Sequence, residues 1–269
     1  MPVSEIKYGH ATLKWQVAKG GGYAGAVILG GKRVALMEDA DQERLLSRLR
    51  NEAGRLHPDY VGFEGAIRRY VHFFPSGLKG AANASSEREY KERAAARLNA
   101  GLSAEQAIDA TNEDASRIAK AGIQTNMLSP FEAARLRDTL MGDTGGRFLR
   151  GAAAFTAGDY AAGAAEMSTA VQPHGRVSWP IITYLPFFWD YQKHMFLKPT
   201  VTADFADRVG HDFHHRYSPE PNSDTYLALL DLVDTTRAAI ATLEPRDNMD
   251  IQSFIWVVGE YREGDERER

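Results

Sequence analysis

One stretch of 21 residues, Trp179 to Pro199 (WPIITYLPFFWDYQKHMFLKP), limits what this chain can fold into more than any other. It carries seven Trp, Tyr and Phe side chains and prolines at positions 180, 186 and 199. A segment this apolar has to be buried. Proline, however, removes a backbone donor and disrupts a helix interior, so the stretch is not expected to be one helix. Its freed backbone groups then need partners outside a regular ladder. The second half adds Asp190, Lys193, His194 and Lys198. Two readings follow: a core segment crossing a helical domain, or a pocket wall, aromatic with a few convergent polar tips.

The rest of the chain is consistent with either. At 269 residues it can bury a sizeable core as one large domain or two small ones. With 43% hydrophobic and 25% charged residues, its composition is that of a soluble globular protein. Zero cysteines exclude disulfides, thiolate zinc sites and cysteine nucleophiles, and fit a reducing compartment. The start, MPVSEIKYGH, has no apolar core of the signal-peptide kind. The longest apolar run, Ile181 to Trp189, is broken by Thr183, Tyr184 and Pro186 and falls short of the roughly 18 to 20 residues of a membrane span. A cytoplasmic protein with no membrane partner is the expectation; the oligomeric state is left open. Charge is uneven. Residues 1–150 hold 22 Lys and Arg against 18 Asp and Glu, residues 151–269 hold 10 against 18. An acidic protein of this kind can still present a basic groove to phosphates.

Alternation over Thr12–Val17, then apolar runs at Tyr23–Leu29 and Arg33–Met37 joined by Gly30-Gly31, predicts strands and a tight hairpin. Gly20-x-Gly22-x-x-Gly25 formally matches a dinucleotide-binding loop, but that motif requires a helix to start within it. Here Ala26-Val27-Ile28-Leu29 continues as strand, which argues against nucleotide binding. Helical spacing takes over after Asp39. Helices are expected at 41–56, 60–74, 146–157, 159–171 and 223–243, with 80–86 an exposed loop and 250–258 a buried helix or strand. Capping boxes are expected at Ser86/Glu89, Ser103/Gln106 and Ser129/Glu132, and Thr202 is expected to cap a short helix ending at Gly210. The fold class is α+β, predominantly helical: a small N-terminal antiparallel β element (1–38) on a helical body (39–269), separate or within one domain.

No motif names a reaction. His211, Asp212, His214 and His215 have spacings that can share a metal, which would make a metal-dependent hydrolase. Gly210 and Pro219 bracket that segment, so a loop is expected there. There is no Gly-x-Ser-x-Gly elbow and no phosphate-binding Walker sequence. A looser pattern remains. Gln124-Thr125-Asn126, Lys193-His194, Lys198, and Asp247, Asp250 and Gln252 all adjoin apolar segments, where each is either a cap or part of a pocket. Aromatic walls, amides and a carboxylate are what a planar ligand such as a nucleobase requires. Lys79, Arg88, Lys91 and Lys198, with Tyr90, suit backbone phosphates plus one stacked ring.

The segments Thr125–Glu132 (TNMLSPFE), Leu185-Pro186-Phe187 with His194–Pro199 (HMFLKP), and Pro245-Arg246-Asp247 with Asp250–Val257 (DIQSFIWV) resemble those of a widespread bacterial family of unassigned function. The tail Asp250–Val257 is also similar to proteins of DNA restriction and phage defence, which implies DNA as a partner. The resulting expectation is a DNA-acting enzyme, a metal-free, cofactor-free DNA glycosylase-like protein excising an unusual base. Asp250 is its expected catalytic carboxylate, with Asp247 second. Asn126, Gln252 and His194 contact the substrate, Trp179 and Trp189 form the wall, and Lys79, Arg88, Tyr90, Lys91 and Lys198 hold DNA. The alternative is a non-catalytic adaptor that binds nucleic acid or protein.

Overall fold

A computed structural model describes residues 3–8, 11–55, 62–121 and 125–261. Four strands come first: β1 (Ser4–Tyr8), β2 (Ala11–Val17), β3 (Tyr23–Leu29) and β4 (Lys32–Asp39). Helices follow in the order α1 (Gln42–Arg55), α2 (Gly62–Phe73), α3 (Ala81–Asn83), α4 (Glu89–Gly101), α5 (Asn112–Ala121), α6 (Pro130–Met141) and α7 (Gly145–Thr156). Then come α8 (Tyr160–Val171), α9 (Trp179–Trp189), α10 (Pro199–Val209), α11 (Phe213–Arg216), α12 (Ser223–Ala239) and α13 (Asn248–Glu260). The architecture is α+β and predominantly helical, as expected. Among the described residues no helix is long and apolar enough to cross a membrane. The chain divides into two compact units, Met1–Arg68 with Ala203–Arg216, and Arg69–Thr202 with Tyr217–Arg269.

In the first unit the strands form an antiparallel meander, β1-β2-β3-β4. Gly30 and Gly31, both at positive φ (55° and 78°), make the two-residue turn between β3 and β4. The register sets Leu13 opposite Val27 and Val27 opposite Ala35, so one face collects Tyr8, Ala11, Leu13 and Val27. Helix α1 closes that face with Leu45, Leu46, Leu49 and Ala53. Gly25 lets it approach, since a Cβ there would lie 2.5 Å from Leu49 Cδ1. The strands therefore share their core with a helix, and the compact unit extends well past residue 38. The Gly20–Gly25 loop leads into β3 and not into a helix, so it offers no helix N-terminus to a pyrophosphate.

The second unit is built on the aromatic stretch. Its first half is α9, in which all eleven residues are buried. Pro186 sits inside this helix, where it has no N–H to give. The chain then turns and runs without regular secondary structure from His194 to Lys198. Thr183 Oγ1 ties the two halves: it donates to Trp179 O (2.8 Å) and accepts from Leu197 N (3.0 Å). Ile181, Ile182, Leu185, Phe187 and Phe188 have no exposure, and each such side chain contributes about 1.5–3 kcal/mol. The core reading of α9 therefore holds. The segment departs from a single helix, but not at its prolines: Pro180 and Pro186 lie within α9, whose C-cap is Asp190, and Pro199 opens α10.

Local signals are realised unevenly. The Ser129/Glu132 capping box is complete, and Ser103 and Gln106 exchange the same pair of bonds. Residues 80–86, expected as an exposed loop, are helical from Ala81 on, and a π turn at Ala84–Arg88 joins α3 to α4. Ser86 lies within that turn and caps nothing. The reason is tertiary: buried Asn83 accepts from Tyr70 Oη (2.7 Å) and donates to Leu78 O (2.8 Å), which anchors the segment. Thr202 is likewise inside α10, which already starts at Pro199.

Candidate functional site

The chemistry-bearing side chains of the second unit gather where α4 meets α13. A π turn carries one residue more per turn than an α-helix and so redirects the side chains that follow it. Here it turns Glu87, Arg88 and Lys91 inward, and all three are buried. Arg88 donates from Nη2 to Asp247 Oδ2 (2.6 Å) and from Nη1 to Asp247 Oδ1 (3.0 Å) and Asp250 Oδ1 (2.8 Å). Its Nε reaches Glu92 (2.5 Å). Arg246 grips Asp250 from the other side, through Nε, Nη2 and its backbone N–H at 2.8 to 2.9 Å.

This network corrects the expected catalytic pair. Asp247 is the N-cap of α13, accepting from the N–H groups of Met249 and Asp250. Asp250 has no exposure, and both its oxygens are occupied. Burial alone would raise its pKa, but the bonds from Arg246 and the charge of Arg88 outweigh that and hold it below the ordinary carboxylate range. It is a structural anion, held by two arginines.

The expected DNA-binding set is corrected as well. Arg88 is spent on the two aspartates. Lys91, with no exposure, donates to Ser253 Oγ (2.7 Å) and lies 3.6 Å from Glu87; burial pulls its pKa down to about 8. Lys79 is exposed but paired with Glu244 (2.7 Å). Lys198 is half-buried, with Met127 O and Glu132 Oε2 both at 3.4 Å. These cations do not form one face because the turn before α4 buries two of them.

Four of the named residues do meet. Tyr90, Asn126, Lys198 and Gln252 line one crevice with Glu87, Met127, Phe196 and Trp256. Its volume is about 30 Å³, the space of a single water. Gln252 is 7% exposed, and its Oε1 has no hydrogen-bond partner among the described residues. Asn126 stands at the exposed side. The crevice carboxylate is Glu87, which accepts from Tyr261 Oη (2.7 Å). Sequence reading passed over Glu87 because it opens an ordinary-looking helix, and Trp256 because it sits in an apolar run.

The other expected substrate contacts lie elsewhere. Trp179 is sealed in the core, its Nε1 on Ser218 O (2.7 Å) and its ring stacked 6.4 Å from Tyr226. Trp189 gives its Nε1 to Leu102 O (2.8 Å). His194 is buried between Thr156 O (3.0 Å from Nε2) and Tyr226 Oη (3.1 Å from Nδ1). A carbonyl only accepts, so Nε2 carries the proton and Nδ1 accepts from the tyrosine. Burial lowers the pKa of this ring, so it is neutral, with both nitrogens used in packing. Trp189 and His194 nonetheless border a second, larger cleft of about 410 Å³.

In the first unit, the histidines proposed for metal each have a partner of their own, and the rings of His214 and His215 stack with centroids 5.6 Å apart. His214 Nδ1 lies 2.8 Å from Asp207, the His215 ring stacks 3.7 Å from Tyr8, and His211 Nδ1 accepts from Phe213 N. The segment is not the expected loop, since Phe213–Arg216 forms a short helix. No family model, curated protein or solved structure matches the chain.

Proposed function

We propose that this chain acts on nucleic acid, and that its second unit receives a nucleobase-like ring in the crevice of Tyr90, Asn126, Lys198, Gln252 and Trp256. The observation that carries the reading is the Gln252 amide oxygen, buried on the crevice wall with no hydrogen-bond partner among the described residues. Leaving such an acceptor unsatisfied costs about 1–3 kcal/mol. An amino or ring N–H on a base edge is the donor it lacks, while Tyr90, Phe196 and Trp256 bring aromatic surface and Asn126 a second amide. The likeness of Asp250–Val257 to restriction and defence proteins supports DNA as the carrier of the base.

At about 30 Å³ the crevice is far below the roughly 300 Å³ of a preformed ligand pocket. Admission therefore requires Lys198 to swing out. Its contacts at 3.4 Å are long for hydrogen bonds, so little opposes that motion. If the base is excised, Glu87 is the carboxylate in reach, in place of Asp250 and Asp247. It would take the proton of the attacking water as the new C1′–O bond forms and the C1′–N bond breaks, the base leaving with the bonding pair and taking its proton from solvent, so Glu87 fills the general-base half of a glycosidase pair. Binding without chemistry is the second reading, favoured by the occupation of Glu87 by Tyr261 and of both aspartates by arginine.

The test is titration of single- and double-stranded DNA, plain and base-modified, at two salt concentrations, followed by alkaline cleavage. Retention weakened at least tenfold by Gln252→Ala and by Asn126→Ala supports base recognition. Abasic sites formed by the wild type but not by Glu87→Gln support excision; retention without abasic sites supports the adaptor. DNA affinity that is absent at low salt, or indifferent to both amide variants, defeats the nucleobase reading.

A further inference from the structure

Strand β4 is a free edge of the sheet in the first unit: β3 pairs with one side of it, and among the described residues no strand pairs with the other. Alternate residues of a strand turn their N–H and C=O groups to opposite sides, so half of these groups in β4 face outward, able to take a further strand. The solvent face of β4 is apolar at its centre. Leu36 aligns with Ala26 and Glu38 with Ala24, on the face away from Leu13 and Val27, and Leu36 is 60% exposed. Charges and bulges commonly guard such edges against pairing with another chain. Here the register between Ala35 and Arg33 skips Val34, which is the bulge. The charges, however, are of opposite sign at the two ends: Lys32 and Arg33 open the strand, Glu38 and Asp39 close it, and residues 34–37 are uncharged. Asp39 is already held by Arg44 and Arg48. The side chains of Arg33 and Glu38 have no ion-pair partner among the described residues.

We infer that β4 pairs antiparallel with β4 of a second copy of this chain, about a two-fold axis at Leu36. Such a contact is self-complementary, so whatever it gains is made twice. Residues opposed in a sheet must share a face, which restricts the register. With Leu36 opposite Leu36, Ala35 meets Met37 on the core side. Because the bulge drops Val34 out of the ladder, Arg33 then stands opposite Glu38 on the solvent side. Without that bulge the two charges would miss each other by one residue. A parallel pairing would set like charges side by side, which is unfavourable, so orientation is selected along with register. The other edge, β1, suits a second copy less well: it has five residues, and its Glu5 is already bonded to Lys14 (2.8 Å). One pair of eight-residue strands buries less than the roughly 1,200 Å² at which stable complexes begin, so the dimer is weak and depends on concentration.

The experiment is sedimentation velocity of the full chain at low salt, over a concentration series from micromolar to submillimolar. A reversible monomer–dimer equilibrium is expected. Leu36→Lys sets two ammonium groups on the axis and should weaken it about tenfold or more, while Ile6→Lys at the β1 edge leaves it unchanged. Arg33→Glu and Glu38→Arg should each weaken self-association severalfold. An equimolar mixture of these two variants should dimerise at least as well as the wild type, because one copy then brings two carboxylates to the contact and the other two cations. Recovery on mixing is a result that a folding defect cannot imitate. A monomer at every concentration, a dimer indifferent to Leu36→Lys or lost in Ile6→Lys, or no recovery on mixing would overturn the assignment.

Discussion

Replacing Arg88 by Met is the sharpest perturbation of the second unit. The substitution keeps an unbranched chain of similar reach and deletes the guanidinium that faces three carboxylates. Asp250 keeps Arg246, and Asp247 keeps two backbone N–H groups, so the carboxylates are not stripped bare. They are nevertheless left side by side, almost without exposure, with Asp247 facing no guanidinium and Asp250 one in place of two. Removing one partner of a buried pair typically costs about 3–5 kcal/mol, because the remaining charge stays desolvated. For a body of this size that is roughly 6 to 20 °C in Tm. Urea unfolding read by Trp fluorescence is the assay, since Trp179, Trp189 and Trp256 belong to this unit and only Trp15 to the other. Asp247→Asn restores charge balance and keeps a side chain that caps helices well. The double variant Arg88→Met with Asp247→Asn should therefore recover at least about 1 kcal/mol relative to the sum of the single losses. A loss under about 1 kcal/mol for Arg88→Met, or strict additivity in the pair, would refute the buried-anion account.

Three further outcomes are expected. Lys91 has a folded pKa of about 8 against an ordinary lysine value, so above pH 8 the unfolded chain binds more protons and stability rises with pH, by at most about 3 kcal/mol; comparing denaturant midpoints from pH 7.5 to 9.5, the rise should vanish in Lys91→Met, and persistence of the rise there would assign it to another group. Gln252→Met removes a buried oxygen that has no partner among the described residues and should raise the unfolding free energy by about 1 kcal/mol while weakening any crevice ligand, whereas a loss of stability would mean that the amide is already satisfied. Gly25→Ala drives a methyl to within 2.5 Å of Leu49 and should destabilise the first unit by about 1–3 kcal/mol, seen as early loss of amide protection in β2 and β3; unchanged protection would contradict the close approach of α1.

Much of this protein is written in local patterns. The Gly30-Gly31 turn, the alternation of β2, and the capping boxes at Ser103 and Ser129 depend on neighbours a few residues apart, so they are readable without a fold. Burial of the aromatic stretch follows in the same way from its composition and its prolines. The direction each charge faces does not. Arg88 and Lys91 stand in a helix that reads as solvated, yet their partners Asp250 and Ser253 are both 162 residues away. Only the π turn at Ala84–Arg88, supported by Asn83 beneath it, turns them inward. The same long-range assembly takes Asp250 out of reach of any ligand while bringing Asn126, Lys198 and Gln252 around one crevice. Hydrogen bonds between near neighbours decide where helices and turns begin, whereas the cost of desolvating a charge is decided by whichever distant group comes to offset it.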